Sequence, residues 1–249
     1  MKHPTRIRLD LAMVNKGLAL SRQRARALIM SGKVLVNHIP VDKPGSLITA
    51  DDELLLKGDD IAYVSRGGLK LEAAIESFSV DVNGKVCLDV GASTGGFTDC
   101  LLQHGASRVY AVDVGYGQLA WKLRQDLRVV VIERTNIRHM AKDTLPEPVD
   151  IVSIDVSFIS LKIVVPAVLK FMKPDAGILA LIKPQFEVGK GKVGKGGVVR
   201  DPELHKEVIR ELSRFFSDIG LDKKALVPSP VLGPKGNREF LISLKYSDS

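Results

Sequence analysis

Four charged residues stand out by type and setting: Lys70, Asp155, Lys183 and Glu239. Lys70 closes the run Ser65-Arg66-Gly67-Gly68-Leu69, and Asp155 follows Ser153-Ile154. Lys183 ends the apolar run 178–182, and Glu239 follows Asn237-Arg238. Lysine is rarely buried unless paired, so Lys183 invites a functional reading, with a snorkelling surface lysine as the alternative. For Glu239 an ordinary surface carboxylate is the alternative. Two amines and two carboxylates brought to one place can hold charge and move a proton. No His, Cys and carboxylate cluster has metal-ligand spacing, so this chemistry is expected to need no metal.

A second group is rich in glycine: Asp89-Val90-Gly91-Ala92-Ser93-Thr94-Gly95-Gly96-Phe97. The dinucleotide fingerprint needs glycine at 91, 93 and 96, and Ser93 breaks it. No Gly-Lys-Ser/Thr tripeptide occurs, which excludes a P-loop. Asp113 follows Gly91 by 22 residues, where an acidic side chain can accept hydrogen bonds from both hydroxyls of a ribose. In Glu133-Arg134-Thr135-Asn136, polar side chains could meet an adenine edge, with Asn136 as the candidate. The alternative is an ordinary nucleotide-fold turn with a helix-facing Asp113.

These residues need a frame that brings them together. Short apolar runs at 86–90, 109–113, 129–133, 150–155 and 178–183 are buried strands, and most are separated by segments of helical length. Such alternation implies a parallel, doubly wound α/β sheet. In that architecture ligands bind at the carboxyl ends of the strands, where Asp155 and Lys183 fall. Lys70 begins the helix before the first strand. Runs 224–228 and 239–244, joined by a Pro/Gly-rich turn, read as an antiparallel hairpin closing the sheet, with Glu239 at the start of its second strand.

The first part of the chain has a different pattern. Leu9, Ala12 and Met13 repeat at helical spacing, and Ser21 can cap a second helix that buries Ala25, Leu28 and Ile29. Short strands follow at 33–37 and 53–56, so 6–57 reads as a small α+β unit. The chain of 249 residues carries +7, and residues 1–43 alone hold nine Lys/Arg against Asp10 and Asp42. The whole excess is therefore local, which suggests a polyanion partner or a solvated basic face. Cys87 and Cys100 lie in apolar contexts, and no secretory or membrane-spanning run is visible, so a reduced, cytoplasmic protein is expected.

The residues from Arg8 to Val41 resemble the small RNA-binding module named after ribosomal small-subunit protein S-four. That resemblance implies that Arg6, Arg8, Arg22, Arg24, Arg26 and Lys33 meet RNA phosphates. Asp-x-Gly-x-x-x-Gly-Gly-Phe resembles the first motif of S-adenosylmethionine-dependent methyltransferases. The order Lys-Asp-Lys-Glu resembles the tetrad of FtsJ-type ribose 2′-O-methyltransferases. With SRGGLKL, LDVGASTGGFTD, DVSFISL, KPQFE, GKGGVVRDP and KGNREF, the chain is identified as a member of the TlyA family over roughly residues 6–245. Proteins of that family are often labelled hemolysins.

The implied fold is α/β: a Rossmann-like class I methyltransferase sheet, with a small N-terminal α+β RNA-binding domain. Its expected boundaries are 1–58, a linker at 59–66, and 67–249. The implied activity is transfer of methyl from S-adenosylmethionine to a cytidine 2′-hydroxyl of rRNA, free or in a ribosomal subunit, by a monomer. The chain has little ahead of its first helix, and the short form of the family implies action on large-subunit RNA. Lys183 is the expected base, with Lys70, Asp155 and Glu239 positioning groups and charge. The cofactor is expected to contact Asp89, Gly91, Ala92, Ser93, Thr94, Gly95, Gly96, Phe97, Asp113, Asn136 and Asp155. Residues 189–200 read as a mobile basic loop whose Lys190, Lys192, Lys195 and Arg200 close on the RNA backbone. The competing readings are a membrane-active hemolysin and a non-catalytic RNA-binding protein that keeps the cofactor fold.

Overall fold

The computed structural model describes residues 6–19, 21–56, 62–189, 191–194 and 196–246. The chain divides into two units, Met1–Asp60 and Ile61–Ser249. In the smaller unit, β1 (Ile7–Arg8) leads into α1 (Leu9–Asn15), and α2 (Arg22–Met30) follows. Ser21 caps α2, its Oγ accepting from the Arg24 N–H at 3.1 Å. Gly17 and Gly32, just past the two helix ends, take left-handed backbone (φ 71° and 68°) that favours glycine. Strands β2 (Val34–Val36), β3 (Ile39–Pro40), β4 (Leu47–Ile48) and β5 (Leu54–Leu56) complete the unit. β1 pairs antiparallel with β4, and β3-β2-β5 form a second sheet. Leu9, Met13, Ala25, Ile29 and Val34 are fully buried between them.

The larger unit begins with α3 (Gly67–Phe78), β6 (Val86–Val90), α4 (Gly96–Gln103), β7 (Arg108–Val112), α5 (Trp121–Arg124) and β8 (Val129–Ile132). It continues through β9 (Val149–Ile154), α6 (Leu161–Val168), β10 (Met172–Ile182), α7 (Pro184–Glu187), α8 (Pro202–Asp218), β11 (Leu221–Pro228) and β12 (Phe240–Tyr246). The seven-stranded sheet runs β11-β12-β10-β9-β6-β7-β8. β6 to β10 are parallel to their neighbours, while β12 lies antiparallel between β10 and β11. The closing hairpin takes one edge of the sheet with its second strand, not its first, against β10, which places Glu239 beside the end of β10.

Parallel strands buried on both faces read as nearly continuous apolar runs, and alternate residues serve opposite layers. Leu88, Val90, Tyr110, Val152, Ile154, Ile178 and Ile182 face one layer, with Val165, Leu212 and Phe216 from α6 and α8. Cys87, Val109, Ile151, Leu179 and Leu181 face the other, with Leu71, Ala74, Cys100 and Leu101 from α3 and α4. Residues 63–66, placed in the linker by sequence, pack into this unit. Tyr63 is buried against α3, and a Cβ at Gly68 would stand 2.2 Å from its ring. The Val64 N–H donates to Asp99 Oδ2 at 2.8 Å.

Candidate active site

The turn between β6 and α4 is built on close backbone approaches. Gly91 has φ 86°, and a Cβ there would lie 2.4 Å from the Asp155 carbonyl oxygen. A Cβ on Gly96 would meet the Gly68 N–H nitrogen at 2.9 Å. These glycines are therefore required by the protein's own packing, which brings β9 and α3 against the turn. The result is a cleft of about 410 Å³. Ser65, Arg66, Gly67 and Lys70 form one wall, Gly91, Ala92, Ser93, Thr94, Gly96 and Phe97 the floor, and Asp155, Ser157 and Lys183 another wall. Val231, Leu232, Gly233 and Pro234 form a lip.

The four charged residues converge here as two pairs. Lys70 Nζ donates to Glu239 Oε2 at 2.5 Å, although the residues are 169 apart in sequence. Lys183 Nζ lies 2.5 Å from Asp155 Oδ1 and donates to Ser157 Oγ at 3.0 Å. Both lysines are largely buried, and Glu239 is fully so at its side chain. Asp155 Oδ1 is buried against the Lys183 ammonium, whereas Glu239 Oε1 is buried with no hydrogen-bond partner among the described residues. A buried acceptor of this second kind marks a place where a ligand can donate. Gly233 leaves room for Glu239, since a Cβ would fall 2.0 Å from Oε1.

The cofactor candidates separate into three groups. Gly91, Ala92, Ser93, Thr94, Gly96, Phe97 and Asp155 line the cleft. Asp113 stands behind its floor: Oδ2 accepts from the Ser93 N–H at 2.8 Å and Oδ1 from the Gly115 N–H at 2.6 Å. Gly95 lies under the turn, where a Cβ would meet Leu123 at 2.2 Å. One expectation needs correction. Asp89 does not reach the cleft; it is fully buried and accepts from Thr98 Oγ1 (2.6 Å) and Ser153 Oγ (3.0 Å). Burial pushes its carboxyl up to about 7, against the pull of those two hydroxyls. Asn136 is exposed and caps its own turn, its Oδ1 accepting from the Arg138 N–H at 3.1 Å. Glu133 likewise turns to Arg124 and to the Gly117 N–H.

Sequence reading gave no role to Ser157 and Arg66, although they stand in DVSFISL and SRGGLKL, and passed over the lip at 231–234, because their part in the cleft depends on which loops meet. It also missed the clip made by Asn237. Asn237 is buried; its Nδ2 donates to the Gly197 carbonyl at 3.0 Å, and its Oδ1 accepts from the Val199 N–H at 3.1 Å. His205 adds a contact of 2.9 Å to the Val199 carbonyl. Residues 197 and 199 of the loop expected at 189–200 are thus held to Asn237, in the turn before β12, and to His205 of α8. Lys192 pairs with Glu207 at 2.6 Å, and Arg200 is exposed; Lys190 and Lys195 lie outside the described residues.

In the smaller unit Arg6, Arg26 and Lys33 are exposed. Arg24 sits in the first turn of α2. Arg8 and Arg22 have a second duty. Both reach Asp10, each at 3.0 Å to Oδ2, and Asp10 has no exposed side-chain surface. The hydrogen bond from Arg8 leads in holding the Asp10 carboxyl down at about 2.

Comparison with known proteins agrees with this arrangement. Residues 63–246 match the FtsJ-like methyltransferases, and residues 7–54 match the S4 domain. The 16S/23S rRNA (cytidine-2′-O)-methyltransferase TlyA of Mycobacterium tuberculosis is 48% identical over 96% of this chain and 90% of that protein. The 23S rRNA (cytidine-2′-O)-methyltransferase TlyA of Campylobacter jejuni is 32% identical over 91% of this chain and 95% of its own. A solved structure from Streptococcus thermophilus, bearing a hemolysin name, superposes with a TM-score of 0.78 at 44% identity, covering 100% of this chain and 90% of that one. Matched in both units and over nearly all its length, the chain belongs to the TlyA family, FtsJ-like methyltransferases with an S4 domain ahead of the methyltransferase unit.

Proposed function

We propose that this chain methylates a cytidine 2′-hydroxyl of ribosomal RNA in the cytoplasm, with S-adenosylmethionine as methyl donor and Lys183 as base. The observation that carries the reading is the convergence of Lys70–Glu239 and Lys183–Asp155 on one cleft beside the glycine turn. The cleft's size falls in the range of small-molecule sites, roughly 300–1,000 Å³. Glu239 Oε1, buried without a hydrogen-bond partner among the described residues, suits a ligand rich in donors, as the amino-acid and ribose parts of this cofactor are. The cofactor, when bound, supplies a methyl group on a sulfonium. Residues 91–97 would hold its amino-acid part, with Asp113 bracing the turn through Ser93.

Asp155 and Ser157 aim the Lys183 amine from one side. A lysine base must be neutral when the hydroxyl proton leaves. Lys183 takes that proton as the oxygen–carbon bond forms and the carbon–sulfur bond breaks. Lys70, held by Glu239, places positive charge where negative charge develops on the ribose oxygen. Next to Ser157, Phe158 is 89% exposed with φ 64°, an aromatic face of the kind on which unpaired bases stack.

The hemolysin reading would need a membrane-active segment. Among the described residues, no helix is long and apolar enough to cross a membrane. The deciding experiment is mass mapping of ribose methylation on both ribosomal RNAs, in cells with the active protein and in cells with Lys183→Ala. Loss of a cytidine 2′-O-methyl mark in the second case is expected, and its RNA identifies the subunit. Identical maps would reject the proposal.

A further inference from the structure

The charges of the cleft do not cancel. Lys70 and Lys183 are each neutralised by a carboxylate at 2.5 Å. Among the described residues lining the cleft, Arg66 is the charged side chain that pairs with no described residue. It is exposed. Arg66 stands at the N-cap of α3 without capping the helix through its side chain. On its flanks, Tyr63 is buried, and the Gly68 N–H donates to the Ser65 carbonyl at 3.1 Å. Lys70 follows one helical turn later, so the two side chains share a face, with Cβ atoms about 5–6 Å apart. Lys70 lies inside, bonded to Glu239, and Arg66 lies at the mouth. The cleft therefore presents an unspent planar cation one turn outward from the tetrad.

We infer that Arg66 is a phosphate-binding residue that grips the RNA backbone next to the methylated ribose. This inference rests on the proposed 2′-O-methyl transfer. A ribose inside an RNA chain brings phosphate on both sides, and one phosphodiester is attached at the carbon next to the 2′-hydroxyl. A hydroxyl delivered to Lys183 thus carries an anion within a few bonds. Arginine's fork can take two oxygens of that anion, which fixes the ribose in orientation as well as place. The competing anion is the cofactor's carboxylate. It has other donors available, in the N–H groups at the start of α4 on the cleft floor. Arg66, exposed at the mouth, faces the side from which a polymer must arrive.

The test uses the full chain with in-vitro-transcribed large- and small-subunit rRNA, comparing wild type, Arg66→Gln and Arg66→Lys. Cofactor affinity is read by calorimetry, and methyl transfer by single turnover over a salt series. Arg66→Gln is expected to raise the RNA concentration for half-maximal transfer by about 10- to 100-fold, as for removal of a charge-assisted hydrogen bond. Its log–log salt slope should fall by about 0.7–0.9, the value of one phosphate. Arg66→Lys should restore the slope but only part of the affinity, since a point charge cannot bind bidentately. S-adenosylmethionine affinity should be the same in all three. If cofactor affinity falls while the salt slope stays, Arg66 is the carboxylate's counter-ion and the inference is overturned. If neither moves, it is a solvated arginine and the inference is equally overturned. If wild type itself transfers no methyl to either RNA, the underlying function has failed, which shows before any variant is compared.

Discussion

At the scale of single residues, the site depends on side chains that share a type but not a task. Lys183 and Lys70 are both buried and both paired, yet only Lys183 also donates to a neutral hydroxyl, that of Ser157. Replacing Lys183 by Ala is expected to slow single-turnover methyl transfer by about 100- to 10,000-fold, with cofactor affinity largely kept. Lys183→Arg should be equally poor, because a guanidinium cannot give up its proton to become a base. Near wild-type turnover for Lys183→Arg would make it a structural cation and move the base elsewhere. Asp89 yields a second prediction. Its folded-state carboxyl titrates near 7, above the unfolded value of about 3.9. Its contribution to stability is thus complete below about pH 4 and lost as pH rises through 7. Asp89→Asn removes that slope. Between pH 5 and 8, wild type should lose up to about 2–3 kcal/mol relative to the variant in urea unfolding. Parallel stability curves would show that Asp89 ionises without cost.

At the scale of elements, the glycine turn, α3 and the β11–β12 hairpin decide the site together. β12 enters between β10 and β11, so the strand that follows Glu239 pairs directly with the strand that leads to Lys183. Asn237, two residues before Glu239, ties the same hairpin to residues 197–199. Asn237→Ala should leave the Val199 N–H buried without its acceptor, at a cost of about 1–3 kcal/mol. Hydrogen exchange is then expected to quicken at 194–199 while β6 and β9 stay protected. Turnover should drop without a matching change in cofactor affinity. Unchanged exchange at 194–199 would mean that the pairing Gly194–Val198 and the His205 contact hold the segment alone.

At the scale of the whole molecule, charge is divided between two units with different work. In the smaller unit the basic excess is confined to residues 1–43, since Asp51, Asp52, Glu53, Asp59 and Asp60 follow, and part of that charge is internal. Arg26→Gln and Lys33→Gln should lower the salt slope of rRNA binding by about 0.7–0.9 for each phosphate no longer neutralised, with unfolding unaffected. Arg22→Gln should do the same and also destabilise the smaller unit, because Asp10 then keeps only Arg8. Filter binding over a salt series and urea unfolding separate the two effects. A stable Arg22→Gln variant would show that Arg8 alone satisfies Asp10. The buried carboxyls of Asp89 and Asp10 are shifted in opposite senses. Asp10, held near 2, stabilises above about pH 4 and loses that contribution as pH falls through 2.

The sequence by itself determined the two units, the alternation of strands and helices, the glycine turn and the identity of the four tetrad residues. These follow from local signals: apolar runs, caps, glycine spacing and residue type at strand ends. The tertiary structure alone decided the partners. That Lys70 meets Glu239 and Lys183 meets Asp155 depends on strand order and on the insertion of β12, which no local pattern encodes. The fate of Asp89 was also decided there. An aspartate at the end of an apolar strand reads alike whether it faces a ligand or two buried hydroxyls. The same holds for Arg66 and Asn237. Their neighbours come from segments far away in the chain, and only packing brings an unpaired cation to the cleft and a buried amide to the loop.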